Sequence, residues 1–260
     1  MRQIPSRTLL VLCSVGLCGL LVWTAGLGIT QPGIYERFAS PEYVQESVGQ
    51  DWVTLVFGVP LILLGGWLWI RNTVAGPAIL AGGLAFELYV YAIYLLGGVL
   101  TDLFFVYIVI AALCLYSLVG VLSTAPRPQV KSRWPANVLA GFFALVVAMF
   151  SVIWIGELSQ SIAVGEVAPG HLIFVIDLVI VLPAFLICAA FLLMRRAFAG
   201  VLAGVLLIKL ASLCLSILLG QALRATSGLT TETMLSVIFT VLAGLTTVAL
   251  WIWYRSLGLE

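Results

Sequence analysis

The sequence predicts an all-α integral membrane protein with eight transmembrane helices, and three observations lead there. Hydrophobic residues make up 63% of the 260 residues and charged residues only 9%, and the mean hydropathy is +1.20, a balance foreign to soluble globular domains. Eight segments reach the ~20 apolar residues with which a helix crosses a hydrocarbon core of ~30 Å. None of them alternates polar and apolar residues like a barrel strand, and backbone groups in lipid must pair within their own segment, so helix is the expected element.

The first span, Thr8–Thr30, follows a basic start like that of a signal peptide. Its apolar run is too long and no A-x-A site follows, so a retained anchor helix is expected. Gln31–Gln50 reads as an extramembrane loop, and the second span, Asp51–Ile70, has Pro60 at mid-helix and Arg71 just after its end. The third, Gly76–Leu96, lies in "ILAGGLAFELYVYAIYLLGG" with Glu87 near its centre, and the fourth is Leu103–Leu122. After the segment "STAPRPQVKSRWP" come Ala136–Gly156 and Leu172–Met194, the latter with Asp177 and Pro183. The seventh, Ala197–Leu219, contains "VLAGVLLIKLASLCLSILLG" and Lys209, and the eighth is Glu232–Tyr254.

The two quoted stretches align without gaps at Leu80/Leu202, Ala81/Ala203, Gly82/Gly204, Leu84/Leu206, Leu88/Leu210, Leu96/Leu218 and Gly98/Gly220, with Lys209 in the place of Glu87. The preceding spans each carry one mid-helix proline and an arginine at the same end. The expected organisation is a four-helix repeat at 1–122, a basic linker at 123–135 and a second four-helix repeat at 136–260. Because each repeat has an even number of spans, the two enter the membrane in the same direction.

Arg2, Arg7, Arg71, Arg127, Lys131, Arg133, Arg195, Arg196 and Arg255 fall on one side of these spans, and only Arg37 and Arg224 on the other. By the positive-inside rule the first side is the cytoplasm, which puts both termini inside a cell membrane. The opposite face collects Glu36, Glu42, Glu46, Asp51, Asp102, Glu157, Glu166 and Glu232. A net charge of +1 gives no case for nucleic acid. The expected partners are the bilayer and a small-molecule or lipid ligand.

A lone charge at the bilayer midplane costs about 2.5–3.5 kcal/mol on insertion scales, so Glu87 and Lys209 are expected to turn inward and pair, directly or through one bridging residue or water. Tyr91 and Tyr94 share the face of Glu87, and Ser212 and Ser216 that of Lys209. Asp177, Asp51 and Asp102 stand above them, towards the outside, so the expected site is an outward-facing polar pocket. Its candidate residues are Glu87, Lys209, Tyr91, Tyr94, Asp177, Asp51 and Ser212. Asp177 is expected nearer the surface, within reach of water, and Glu87 is the expected working carboxyl. The prolines would kink the second and sixth spans at the pocket floor and free backbone carbonyls there.

The five cysteines all lie inside spans and form no C-x-x-C pair, and His171 is the sole histidine, so no metal site is expected. G-x-S-x-G, H-E-x-x-H and P-loop signatures are absent. Three readings stay open. One is a small-solute or proton-coupled carrier centred on Glu87. The second is a membrane-embedded enzyme acting on a lipid or isoprenoid with Glu87 as general acid and Asp177 or Asp51 as partner. The third is a non-catalytic sensor or structural protein in which Glu87 and Lys209 form a buried ion pair.

Gly33, Tyr35, Gly49, Gln50, Asp51, Thr54, Leu55, Pro60 and Leu61 form a pattern G-x-Y, G-Q-D-x-x-T-L and P-L-x-L-L. It resembles a family of uncharacterised prokaryotic multi-pass membrane proteins, a likeness that extends through "YVYAIYLLGG" and "LFFVYIVIAALCLYSL". The resemblance implies the architecture and weight on the Gln50-Asp51 region, and no activity. A lysine in the seventh span facing an acid in the third is also similar to microbial rhodopsins. Val205 stands four residues before Lys209, where that family has an acid, and an eighth span follows. No retinal or other cofactor is expected.

Overall fold

In the computed structural model, residues 6–37, 40–126, 130, 132–167 and 170–257 are described. Arg2, Arg127 and Lys131 of the basic set lie outside them. Helix accounts for 85% of the structure, and eight helices are long and apolar enough to span a membrane. The chain is a polytopic membrane protein.

The helices are α1 (Ser6–Thr30), α2 (Gly33–Glu36), α3 (Pro41–Val53), α4 (Val59–Ile70), α5 (Gly76–Leu96), α6 (Phe104–Thr124), α7 (Arg133–Val164), α8 (His171–Ile176), α9 (Leu182–Leu193), α10 (Ala199–Thr226) and α11 (Thr233–Ser256). The loop expected at 31–50 is largely helical: α2 and most of α3 occupy it. Ser40 is the reason α3 starts so early. Its hydroxyl accepts from the Tyr43 amide at 3.3 Å, and Pro41 brings a fixed φ to the first turn. Asp51, expected at the start of a span, therefore lies well inside a continuous helix.

Two π-turns interrupt the second and sixth spans, at Thr54–Gly58 and Asp177–Val181. In each, an amide reaches five residues back, Val59 to the Thr54 carbonyl and Leu182 to the Asp177 carbonyl, and a proline follows at the next position. A proline has no N–H to give the turn before it, so a carbonyl there lacks its helical donor, and the widened turn absorbs the misfit.

The ends of α4 and α9 also match. Asn72 and Arg195 take left-handed φ of 60° and 56°, and no other described non-glycine residue has a positive φ. In the first turn Asn72 N–H meets the Trp69 carbonyl and Thr73 N–H the Leu68 carbonyl; in the second, Arg195 meets Leu192 and Arg196 meets Phe191. Pro183 follows Pro60 by the same interval that separates Arg195 from Asn72 and Ala199 from Gly76.

By contact the chain forms two compact units, 1–126 with 204–251 and 127–203 with 252–260. In the first, α5 is among the most enclosed spans, with α4 and α6 packed along it. Gly65 sits so close to the backbone of Leu80 that a β-carbon would overlap it, and Gly49 meets the backbone of Gly220 in the same way. Such close backbone approach is how helices associate where lipid is as apolar as leucine. Above the second crossing, Arg224 pairs with Glu46 at 2.7 Å and Glu232 at 3.5 Å, and its Nε donates to the Thr230 carbonyl at 2.9 Å. In the second unit α7 packs along α9, Arg195 donates to the Val130 carbonyl at 3.0 Å, and the Trp253 indole donates to the Gly200 carbonyl at 2.7 Å.

Candidate functional site

The first unit holds a buried polar column built by α1, α2, α3, α5 and α6. At its deep end lies Glu87, fully buried (0%). Thr54, first residue of the π-turn, donates to Glu87 Oε2 at 3.1 Å. Oε1 has no hydrogen-bond partner among the described residues. It rests against Gly58, the last residue of the same π-turn, where any β-carbon would collide with it. Glycine at that position is what admits the carboxyl to the backbone.

One turn away along α3, Asp51 is 3% exposed and accepts from the Tyr35 hydroxyl at 2.8 Å. Gly28 of α1 lies against this pair, and a β-carbon there would overlap both Asp51 Oδ2 and the Tyr35 hydroxyl. Burial, with Tyr94 and Asp51 close by, pushes the Tyr35 hydroxyl above the ordinary tyrosine range. Tyr35, Tyr91, Tyr94 and Tyr107 are all buried, with ring centroids 5.3–5.9 Å apart in the contacting pairs. Tyr91 shares a 2.7 Å hydrogen bond with Thr24 of α1, and Tyr94 donates to the Ser47 carbonyl at 3.4 Å. Ser47 Oγ, Gln50 Oε1 and Tyr107 Oη are buried without hydrogen-bond partners among the described residues.

Of the expected residues, the structure thus gathers Glu87, Tyr91, Tyr94 and Asp51. Lys209 is not joined to Glu87. It is 4% exposed, and its ammonium lies 3.7 Å from the centroid of Tyr89. Tyr89 is two residues beyond Glu87, hence ~200° round the helix, so the lysine faces the other side of α5. The hydroxyl of Ser212 is spent on its own helix, donating to the Ile208 carbonyl at 2.9 Å.

Asp177 belongs to the second unit. It opens the second π-turn and is 7% exposed, so it is not the hydrated residue expected. The Trp154 indole, stacked on Phe174 at 4.3 Å, covers it and donates to Oδ2 at 3.1 Å. Glu87, Asp51, Tyr91 and Tyr94 do not line the depression in the first unit, of about 320 Å³, whose walls are Gln31, Gly33, Ile34, Arg37, Thr101 and Asp102. Tyr35 does not line it either, although Gly33 and Ile34 immediately precede Tyr35 in the chain.

Sequence reasoning passed over Thr54, Tyr35 and Gly58 as site residues. A signal was present for two of them, since Tyr35 and Thr54 stand beside Asp51 in the pattern G-x-Y, G-Q-D-x-x-T-L. No family model matches the chain, and neither a curated protein nor a solved structure is similar to it. The pattern stands on its residues alone.

Proposed function

We propose that the protein is a membrane carrier for a small solute, with Glu87 as its working group. The observation that carries this reading is the orphaned Oε1 of a carboxyl at the centre of a span, held against a π-turn. A buried polar atom without a partner costs about 1–3 kcal/mol, and ionisable residues inside a membrane are retained for ion or substrate pathways. A structural ion pair with Lys209 has no support in the geometry around Tyr89.

The matched landmarks of the two halves favour a parallel repeat, the frame in which one half can rock against the other around a fixed site. Aligned on those landmarks, Leu210 and not Lys209 is the counterpart of Glu87. The distribution of basic residues favours a cell membrane with both termini in the cytoplasm, so that α2 and the depression face outward.

The test is reconstitution into liposomes and counterflow of radiolabelled amino acids, sugars and organic acids. At least one solute should exchange in the wild-type protein and fail to do so in a folded Glu87→Gln variant. Equal exchange in the two proteins would remove Glu87 from the mechanism.

A further inference from the structure

Two carboxyl–hydroxyl pairs lie one helical turn apart in the first unit: Glu87 with Thr54, and Asp51 with Tyr35. The first has an oxygen that lacks a donor. Beside it runs a turn in which Pro60 has withheld a donor from a backbone carbonyl. One proton on Glu87 Oε1 removes the unpartnered negative charge and makes that oxygen a donor beside the turn.

A metal ion fits poorly. Calcium needs six to eight oxygens at ~2.3–2.6 Å and magnesium an octahedral shell at ~2.0–2.1 Å. Glu87 Oε1 is instead pressed against Gly58, and no group of three or more His, Cys, Asp or Glu side chains suited to a metal occurs among the described residues. Among the described residues, the ionisable side chains near enough to feel the charge of Glu87 include Cys18 of α1, Asp51 of α3, Cys114 of α6 and Tyr91 of its own helix. None of these carries a positive charge, and Lys209 of α10 lies on the far face of α5.

We infer that Glu87 is the binding site of one exchangeable proton, which travels between it and the depression at Gly33–Ile34 through Thr54, Asp51 and Tyr35. On release, the carboxyl turns to bring its O–H to Thr54, whose hydroxyl meets Oε2 in the structure, and the O–H bond at Glu87 breaks. The hydroxyl of Thr54 takes up that proton and gives its own to Asp51 across the intervening turn, Asp51 passes one to the Tyr35 hydroxyl, and Tyr35, which is buried behind the residues lining the depression, gives up one proton towards it. Each hydroxyl ends as it began, Glu87 is left a carboxylate, and a single proton has moved. Tyr91, Tyr94 and Tyr107 wall the route and keep bulk water out. The inference rests on the carrier reading only in taking Glu87 as the working group, and it names the coupling ion.

Infrared difference spectra of the purified protein in nanodiscs, between mildly acidic and mildly alkaline buffer, read the proton directly. A carbonyl band of a protonated, buried carboxyl should be lost on alkalinisation and be missing from Glu87→Gln. Thr54→Val, which removes the hydroxyl donor at nearly constant shape, should shift that band to higher frequency, and it serves as the readout if Glu87→Gln does not fold. Tyr35→Phe should keep the band but slow its hydrogen–deuterium exchange. An unchanged band in Glu87→Gln, or one unmoved in Thr54→Val, overturns the proton site. So does a spectral response to sodium at fixed pH with none to pH. Tyr35→Phe exchange as fast as wild type overturns the route. Loss of the band in Glu87→Gln in a protein that transports no solute would refute the carrier reading and leave the proton site standing.

Discussion

Glu87 and Lys209 sit on opposite faces of what separates them: the lysine ammonium lies over the ring of Tyr89, 3.7 Å from its centroid, while the carboxylate turns to Thr54 and Gly58. A double-mutant cycle separates these relationships. Glu87→Gln with Lys209→Met should show a coupling energy under about 0.5 kcal/mol, as for sites with no shared partner. Lys209→Met with Tyr89→Leu should couple at about 1–2 kcal/mol, the range of a desolvated cation–π contact. Chemical or thermal unfolding in detergent measures both.

Gly58→Ala should destabilise the protein by about 1–3 kcal/mol, because the new methyl group must displace the Glu87 carboxyl from a packed turn. Shortening the acid by one methylene withdraws the colliding oxygen. Gly58→Ala combined with Glu87→Asp should therefore unfold at a higher temperature than Gly58→Ala alone.

Tyr35→Phe removes the hydroxyl that donates to buried Asp51, and the loss should be about 1–3 kcal/mol near neutral pH. The alkaline limb should change too. The folded state holds the Tyr35 proton above its ordinary value of 10.0, so above that pH the unfolded chain binds fewer protons than the folded one. The contribution of Tyr35 is whole below this value and fades as pH climbs beyond it towards the folded value. Unfolding titrations of Tyr35→Phe should show a shallower loss of stability in strong alkali than wild type.

Arg224→Gln breaks the pair with Glu46 and the bond to the Thr230 carbonyl. Glu46 is partly exposed, so the loss should be about 1.5–3 kcal/mol, the range for hydrogen bonds to charged groups. Differential scanning fluorimetry in detergent reads it.

Single cysteines at Ser40 and Ser132, in a cysteine-free background, should label from opposite sides of the membrane with an impermeant thiol reagent. This follows from the asymmetry of the basic residues, and labelling from one side would refute the topology.

The spans were legible because hydropathy and length alone select them. The start of α3 was not, because "PEYVQESVGQD" is too polar to read as span, and its helicity comes from the Ser40 cap and Pro41. Glu87, Tyr91 and Tyr94 were legible as a face, since the third-helix spacing brings them into line. The error over Lys209 has a different origin. A gap-free likeness of leucines, alanines and glycines sets it level with Glu87, but level is not facing, and one residue of register turns a helix by ~100°. Thr54, Gly58 and Tyr35 were hidden because only tertiary packing brings their elements to the carboxyl. Asp177 was misplaced for a similar reason, as the cover provided by Trp154 comes from another helix.

The π-turn at Thr54–Gly58 amounts to a residue inserted into an otherwise regular helix, and that makes the site sensitive to sequence length as well as to sequence. A deletion of one residue between Thr54 and Pro60 would let the helix close into regular α geometry with a span still long enough for the bilayer. The residues before the deletion would keep their faces relative to α4, because the widened turn already absorbs the extra residue; what would vanish is the turn itself, in which Gly58 takes in the Glu87 carboxyl. Such a protein would keep its hydropathy profile, its number of spans and its place in the membrane, and it would have lost the seat of its buried acid.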